Sequence, residues 1–168
     1  PATAGFRMSV RLGLCEKGQT CSAGFRVGIH DDINEYRGNV LWGKGIDAGL
    51  TTAGQLIVAD KTLQVNDLPL DDLLLTLVAE PAGSDYELTL TATVPSSGKQ
   101  IGRLSTKVDA ERLVGNLAVV NNFQAKIKKG SRFWFSDWQI EGDKVEAYDD
   151  RVFGPILWAM HTLSSSRG

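Results

Sequence analysis

The amino-acid sequence predicts an all-β fold, an antiparallel two-sheet β-sandwich with about ten or eleven strands. Three observations predict it. Apolar and polar residues alternate with a period of two in several segments, turn-forming residues separate these segments, and no segment has the length of a crossover helix. The length of 168 residues is typical of one hydrophobic core. We therefore expect a single domain over residues 1–168.

The clearest predicted strand lies near the start of the chain. Apolar side chains alternate with polar or small ones over residues 6–14, which places one face of the strand on a core. The same alternation predicts strands at residues 25–29, 86–94 and 133–135. Less regular apolar runs predict the other strands at about residues 39–48, 55–60, 72–79, 101–108, 116–121, 144–148 and 152–163.

Turn-forming residues lie between the predicted strands, and their spacing predicts antiparallel hairpins. They stand at positions 53–54, 81–84, 95–98, 129–130 and 141–143. The stretch from Asp109 to Val114 is the one helix-like segment, in which Asp109 is predicted to cap a single turn. Because crossover helices are missing from the pattern, a parallel sheet is disfavoured and a jelly-roll arrangement is favoured.

The two cysteines, Cys15 and Cys21, bracket a polar, turn-like stretch around Gly18. We interpret them as a disulfide that closes a hairpin, with two reduced thiols as the alternative. Closing so small a loop would restrict the unfolded chain by about 2 kcal/mol. Because such bonds persist in oxidising compartments, the sequence predicts an extracellular or periplasmic location.

Composition argues against two classes of partner. The formal net charge is −2, with both signs interspersed, so the chain has no basic field for nucleic acid or an anionic membrane. No apolar run approaches the roughly 18 residues of a membrane-spanning helix.

The chain begins without Met and ends in a polar Ser-Ser-Ser-Arg-Gly tail, so we expect it to be part of a larger multidomain protein.

A polar and aromatic cluster at residues 30–42 is the predicted ligand-binding site. Loops at the ends of a rigid sandwich are where binding groups usually sit. Polar side chains of this kind could hold sugar hydroxyls, and an aromatic ring could lie against a pyranose. An ordinary polar loop with Trp42 in the core is the alternative. The candidate residues are His30, Asp32, Glu35, Tyr36, Arg37 and Trp42.

Two acidic clusters offer the hard oxygen ligands that Ca²⁺ prefers. A structural calcium ion is therefore one hypothesis, with solvated surface charge as the alternative, because neither cluster has EF-hand spacing. No cofactor is certain. The two clusters are Asp31, Asp32, Asn34 and Glu35, and Asp143, Glu146, Asp149 and Asp150.

One string has a catalytic pattern. From Glu141 to Glu146 the sequence matches the E-x-D-x-x-E pattern of retaining glycoside hydrolases built on jelly rolls, which need two carboxyls about 5 Å apart. Here Gly142 and Asp143 predict a hairpin turn that places the two glutamates on different strands. The chain has two histidines and lacks the G-x-S-x-G, P-loop and H-E-x-x-H motifs. We predict no enzymatic activity, with hydrolysis by Glu141 and Glu146 as a minor alternative.

Aromatic residues alternate on both faces of the segment 132–138. Phe133 and Phe135 are predicted to point one way, and Trp134 and Trp138 the other. One set belongs to the core. The second set could line a concave groove or pack under loops, and we favour packing because large aromatics are buried more often than displayed.

Four strings carry a family resemblance: GIDAG at 45–49, FWFSDW at 133–138, GDKV at 142–145 and FGPILW at 153–158. From about Phe25 to Leu163 the chain resembles the concanavalin A-like, laminin-G-like jelly rolls found N-terminal to some bacterial alkaline phosphatase D-like metallophosphoesterases. The resemblance implies a lectin-like sandwich and a downstream catalytic domain in the same chain. The metal-binding motifs of such phosphatases are absent, so no catalytic residue is carried over.

These observations predict a non-catalytic accessory module of an exported enzyme, with a glycan as its ligand. The alternative is a purely structural domain that packs against a catalytic domain or a second copy of itself. An extended apolar surface patch would favour that alternative.

Overall fold

The computed structural model describes residues 3–30, 44–121 and 129–145. Ten strands in these residues form two five-stranded antiparallel sheets, which confirms the predicted fold class. The strands are β1 Phe6–Glu16, β2 Ser22–His30, β3 Lys44–Thr51, β4 Gln55–Val58, β5 Lys61–Gln64, β6 Leu73–Ala82, β7 Asp85–Val94, β8 Lys99–Asp109, β9 Asn116–Asn121 and β10 Arg132–Glu141. The first sheet has the order β10-β1-β6-β7-β8, and the second has the order β5-β4-β3-β2-β9.

The alternation predicted for β1 is confirmed by the burial of its side chains. Met8 and Val10 are fully buried, whereas Arg7 and Arg11 are exposed on the outer face. Met8 lies opposite Leu77 of β6 in the antiparallel register. The period of two therefore divides the strand into a core face and an outer face.

The core fills the space between the two sheets. Its largest fully buried side chains come from both layers, and each contributes about 1.5–3 kcal/mol when it is removed from water. These side chains are Phe25, Met8, Leu12, Ile29, Ile46, Leu50, Leu56, Leu73, Leu75, Leu77, Leu88 and Leu90.

The outer face of the second sheet carries a shielded ion pair. Arg26 of β2 lies opposite Asp47 of β3, and its Nε and Nη2 donate to the two carboxylate oxygens at 2.6 and 3.1 Å. The stem of Arg26 lies close to Gly45, where an added Cβ would come within 2.8 Å of Arg26 Cγ. The absence of a side chain at Gly45 therefore leaves room for the arginine on the sheet.

The sequence missed one strand and correctly identified one cap. β5, Lys61–Gln64, is mostly polar and exposed, so it has no apolar alternation to reveal it.

The 3₁₀ helix Ala110–Leu113 begins as expected, because Asp109 Oδ1 accepts a hydrogen bond from the Glu111 backbone N–H at 2.9 Å. Of the strands predicted after β10, residues 144 and 145 belong to a turn and a coil position, and residues 146–163 lie outside the described residues.

The predicted disulfide hairpin is wrong. β1 and β2 lie in different sheets, so the residues between them cross from one layer to the other. Both cysteines are free thiols: Cys15 is exposed, whereas Cys21 is buried and its Sγ donates to the Ser131 carbonyl at 3.2 Å. Because one side chain lies in the core and the other is exposed, the two sulfurs are not bonded.

The crossing segment pairs with a distant part of the chain. The Gln19 N–H donates to the Lys129 carbonyl at 2.8 Å, and Ser131 Oγ accepts from the Gly18 N–H at 2.9 Å. The polar stretch around Gly18 is therefore a connection between layers and not a hairpin turn.

Among the residues that the structure describes, no helix is long and apolar enough to cross a bilayer.

Candidate functional site

His30 is the one predicted ligand-binding residue that falls within the described residues. It ends β2 and is exposed, opposite Lys44 at the start of β3. The other five candidates, Asp32, Glu35, Tyr36, Arg37 and Trp42, lie outside the described residues. Their predicted roles stay predictions.

A cavity of about 240 Å³ lies where β2 ends and β3 begins. Ile46 at its base is buried, whereas His30, Lys44 and Arg112 are exposed. The cavity is lined by Gly28, His30, Lys44, Gly45, Ile46 and Arg112. The structure thus brings His30 together with two basic residues that the sequence did not single out.

A β-bulge at Gly28 shapes this cavity. The register shifts between Val27 and His30 against β3, and Gly28 has a φ of 63°, in the left-handed region that glycine tolerates. A Cβ at Gly28 would overlap the Arg112 carbonyl oxygen, so the 3₁₀ helix packs directly on the bulge. His30 Nδ1 lies 3.0 Å from the Gly28 carbonyl, and because a carbonyl only accepts, Nδ1 carries the hydrogen.

A second candidate site lies on the outer face of the first sheet, where β10 pairs with β1. Trp134 lies opposite Gly13 in the register and is half-buried. An added Cβ at Gly13 would come within 2.6 Å of the indole Nε1 and Cε2 atoms. The indole therefore covers the strand where a glycine leaves room for it.

A β-bulge then changes the side-chain alternation of β10. Ser136 pairs with Arg11 and Gln139 with Ser9, so β10 has one more residue than β1 over this interval. Asp137 in the bulge has a φ of 52°. The following residue, Trp138, is 47% exposed.

The predicted separation of the aromatic side chains is confirmed for the core set. Phe133 is buried, Phe135 is half-buried against the core, and Ile140 takes the inward position opposite Met8. The preference for packing of the second set is wrong for Trp138, because the bulge displays it. The adjacent Ser136 and Asp137, residue types that strands disfavour or tolerate poorly, are the sequence signal that could have revealed the bulge.

Charged groups lie on the face that carries Trp134, opposite Gly13 of β1. Arg11 Nε and Nη2 donate to the two Asp72 carboxylate oxygens at 2.7 and 2.6 Å. This hydrogen-bonded pairing lowers the pKa of Asp72, and the same pairing raises the pKa of Arg11, with a further contribution from Asp137. We call Arg11, Asp72 and Trp134, together with Asp137 and Trp138 of the adjoining bulge, the aromatic face.

The predicted turn after Glu141 is confirmed. The Val145 N–H donates to the Gly142 carbonyl at 3.1 Å. Glu141 is exposed, and its carboxylate lies 3.5 Å from Arg7 Nε. Glu146 lies outside the described residues, so the separation of the two carboxyls is not described and hydrolysis stays a hypothesis.

Calcium binding is likewise untested by the described residues. Within them, no group of three or more His, Cys, Asp or Glu side chains is arranged to hold a metal ion. Of the eight predicted oxygen ligands, only Asp143 is described, and it is exposed.

Comparison with known proteins identifies the fold. No family model matches the sequence, and no curated protein matches it. The structure is similar to lectin II from Ulex europaeus, with a TM-score of 0.52 and 13% identity over 83% of this chain and 73% of the lectin chain. It is equally similar to the lectin UEA-II complexed with galactose, with a TM-score of 0.52 and 13% identity over 83% of this chain and 72% of that one.

At this identity the likeness concerns the fold alone. It confirms the lectin-like, concanavalin A-like jelly roll expected from the sequence. The alkaline phosphatase D-like context receives no support from these structures and stays a prediction.

Proposed function

We propose that the chain is a non-catalytic carbohydrate-binding module that holds a glycan against its aromatic face. The observation that carries the proposal is the exposure of Trp138, which is 47% exposed directly after the bulge of β10. An indole has a flat apolar surface that can lie against the C–H groups of a pyranose ring. The lectin-like fold supports the same class of ligand, as an analogy.

Polar groups on the aromatic face can hold the hydroxyls of the same sugar. The Asp72 carboxylate, whose pKa the hydrogen-bonded Arg11 lowers further below neutrality, is ionised at neutral pH and accepts hydrogen bonds. Arg11 in turn offers donors beyond the two that Asp72 occupies. The combination of an apolar plane with fixed acceptors and donors suits a ring that has one face of C–H groups and a rim of hydroxyls.

The residues that follow His30 are a second proposed contact region. Asp32, Glu35, Tyr36, Arg37 and Trp42 offer the same combination of polar and aromatic groups. They stay candidates on their chemistry, and substitutions there distinguish a site at these residues from the aromatic face.

The biological setting is also a proposal. We propose that the module orients an exported enzyme in the extracellular space or periplasm, with the catalytic domain downstream in the same chain. The free thiols of Cys15 and Cys21 remove the disulfide from the argument for export. The resemblance to jelly rolls N-terminal to metallophosphoesterases is the remaining support.

A packing role is the second candidate function. Val114 is 63% exposed and lines a cavity of about 630 Å³ together with Phe6, Ile140, Lys144 and others. A neighbouring domain could bury that apolar side chain. Trp138 and Val114 are the large apolar side chains that the described residues expose, and they belong to different elements.

Affinity electrophoresis through gels that contain neutral and acidic polysaccharides, with and without Ca²⁺, tests the carbohydrate proposal. We expect retardation by at least one polysaccharide and a loss of affinity of about tenfold or more in Trp138→Ala, because buried tryptophan contacts dominate binding interfaces. Val114→Ala is the matched control, since it also removes an exposed apolar side chain. Binding that Val114→Ala weakens and Trp138→Ala leaves unchanged would contradict the assignment.

A further inference from the structure

Three basic side chains from three elements surround the cavity at the end of β2. His30 comes from β2, Lys44 from β3 and Arg112 from the 3₁₀ helix. All three are exposed at its rim. A small concave surface with one sign of charge raises the local concentration of the opposite ion.

These cations differ from most arginines on the sheets. Arg7, Arg11, Arg26 and Arg132 are each paired with a carboxylate. Over residues 3–30, 44–121 and 129–145, neither Lys44 nor Arg112 forms such a pair. The nearby carboxylate of Asp109 accepts from the Glu111 N–H as a helix cap. Within the described chain, the positive charge at the cavity therefore has no acidic partner.

The backbone fixes the shape of the cavity. Gly28 and Gly45 line it without side chains, and the packing of the Arg112 carbonyl on Gly28 holds the helix against the bulge. The volume of about 240 Å³ lies below the roughly 300–1,000 Å³ of sites that enclose a whole small molecule. It suits one charged group of a larger ligand.

The donors match an oxyanion. Arg112 offers a planar fork of N–H groups, Lys44 offers an ammonium, and His30 Nε2 is left as the second ring nitrogen because Nδ1 donates to Gly28. In the imidazolium form Nε2 also donates. Charge-assisted hydrogen bonds of this kind are the strong ones in anion recognition.

We propose that this cavity binds a single oxyanion, the sulfate, phosphate or carboxylate group of an acidic ligand. It is a site distinct from the aromatic face, and it does not depend on glycan binding at that face. A ligand that bridges both sites is not required.

Binding is tested by adding inorganic sulfate, inorganic phosphate or acetate to the full chain at constant ionic strength, with chloride as the balancing ion. The NMR shifts of the Gly28 and Gly45 amides and of the His30 ring report the site. We expect saturable shifts at these residues, and an affinity about fivefold lower in Arg112→Gln and in Lys44→Gln. Arg103→Gln is the matched control, because Arg103 is an exposed arginine on β8 of the other sheet.

Three sugar probes then separate the sources of the anion: glucuronate, galactose 6-sulfate and glucose 6-phosphate, each against the neutral parent sugar. If an acidic sugar causes shifts that its neutral parent sugar does not cause, the result supports the site and identifies which anionic group it binds. Shifts that rise linearly without saturation, or that Arg103→Gln reduces as much as Arg112→Gln, would overturn the proposal. No shift at these residues with any of the three anions would likewise overturn it.

The carbohydrate proposal and the anion proposal can be contradicted independently, because different variants test them. Trp138→Ala is expected to leave the anion shifts unchanged, and Arg112→Gln is expected to leave retardation by a neutral polysaccharide unchanged. Loss of anion binding in Trp138→Ala would show that the cavity does not act alone.

Discussion

Two bidentate arginine–aspartate pairs lie on the outer faces of the two sheets, and they differ in exposure. The Arg26 and Asp47 side chains are 12% and 26% exposed, whereas those of Arg11 and Asp72 are 44% and 33% exposed. The hydrogen-bond geometry is nearly the same in both. The difference lies mainly in the arginines, so Arg11 is a group that a ligand can reach, whereas Arg26 is largely covered.

A glycine makes room for a large side chain on each face. Gly45 leaves space for Arg26 on the second sheet, and Gly13 leaves space for Trp134 on the first. On the first sheet the bulge brings the charge of Asp137 close enough to raise the pKa of Arg11, and the next residue, Trp138, is 47% exposed. The comparison predicts large stability effects on the second sheet and binding effects on the first.

The largest expected effect is at the shielded pair. Asp47→Ala removes the carboxylate that accepts two hydrogen bonds from Arg26, whose side chain is only 12% exposed, and we expect the free energy of unfolding to fall by about 2 kcal/mol. Chemical denaturation of the variant and the parent chain measures it. A loss no greater than that of Asp72→Ala would break the distinction between the two pairs.

A smaller effect is expected at Gly13. In Gly13→Ala the new Cβ meets the Asp71 carbonyl oxygen and the Trp134 indole, so one of them must move, at a cost of about 1–2 kcal/mol. Near-ultraviolet circular dichroism should show a changed tryptophan environment alongside the loss of stability. Gly83→Ala is the control for the tryptophan signal: at a φ of 78° with no atom within 4 Å of the added Cβ, it adds backbone strain without a clash and should leave the near-ultraviolet spectrum unchanged.

At the exposed pair of Arg11 and Asp72, we expect a measurable change in the pKa of Asp72 and only a small change in the free energy of unfolding at neutral pH. The pKa of Asp72 is lowered by Arg11, so the stabilisation is present above the ordinary aspartate pKa of about 3.9 and is lost as the pH falls through the lower, folded-state pKa. In Arg11→Gln the Asp72 pKa should rise toward its ordinary value. Carboxyl NMR titration measures it, and an unchanged titration would show that Arg11 is not the cause.

The sequence predicted the core far better than the surface. Alternation located β1, β2, β7 and β10 because burial on one face imposes a period of two over many residues. It could not locate the partner of Cys21, since that depends on which sheet each strand joins. Nor could it show that one extra residue near Asp137 displays Trp138.

The two candidate sites show the same limit. His30 was identified from its local cluster, but Lys44 and Arg112 reach it only through strand pairing and the packing of the 3₁₀ helix on Gly28. Asp72 had no sequence signal, because its partner Arg11 is 61 residues away. Long-range pairing brings these groups together, and local patterns do not report it.

The most direct test lies at Trp138. We expect the Trp138→Ala chain to stay folded with a modest loss of stability, because 47% of the side chain is exposed and the rest is covered, and we expect polysaccharide binding to be abolished or strongly weakened. Affinity electrophoresis of this variant beside Val114→Ala makes the measurement. Retention of full glycan affinity by a folded Trp138→Ala chain would contradict the claim that the aromatic face binds carbohydrate.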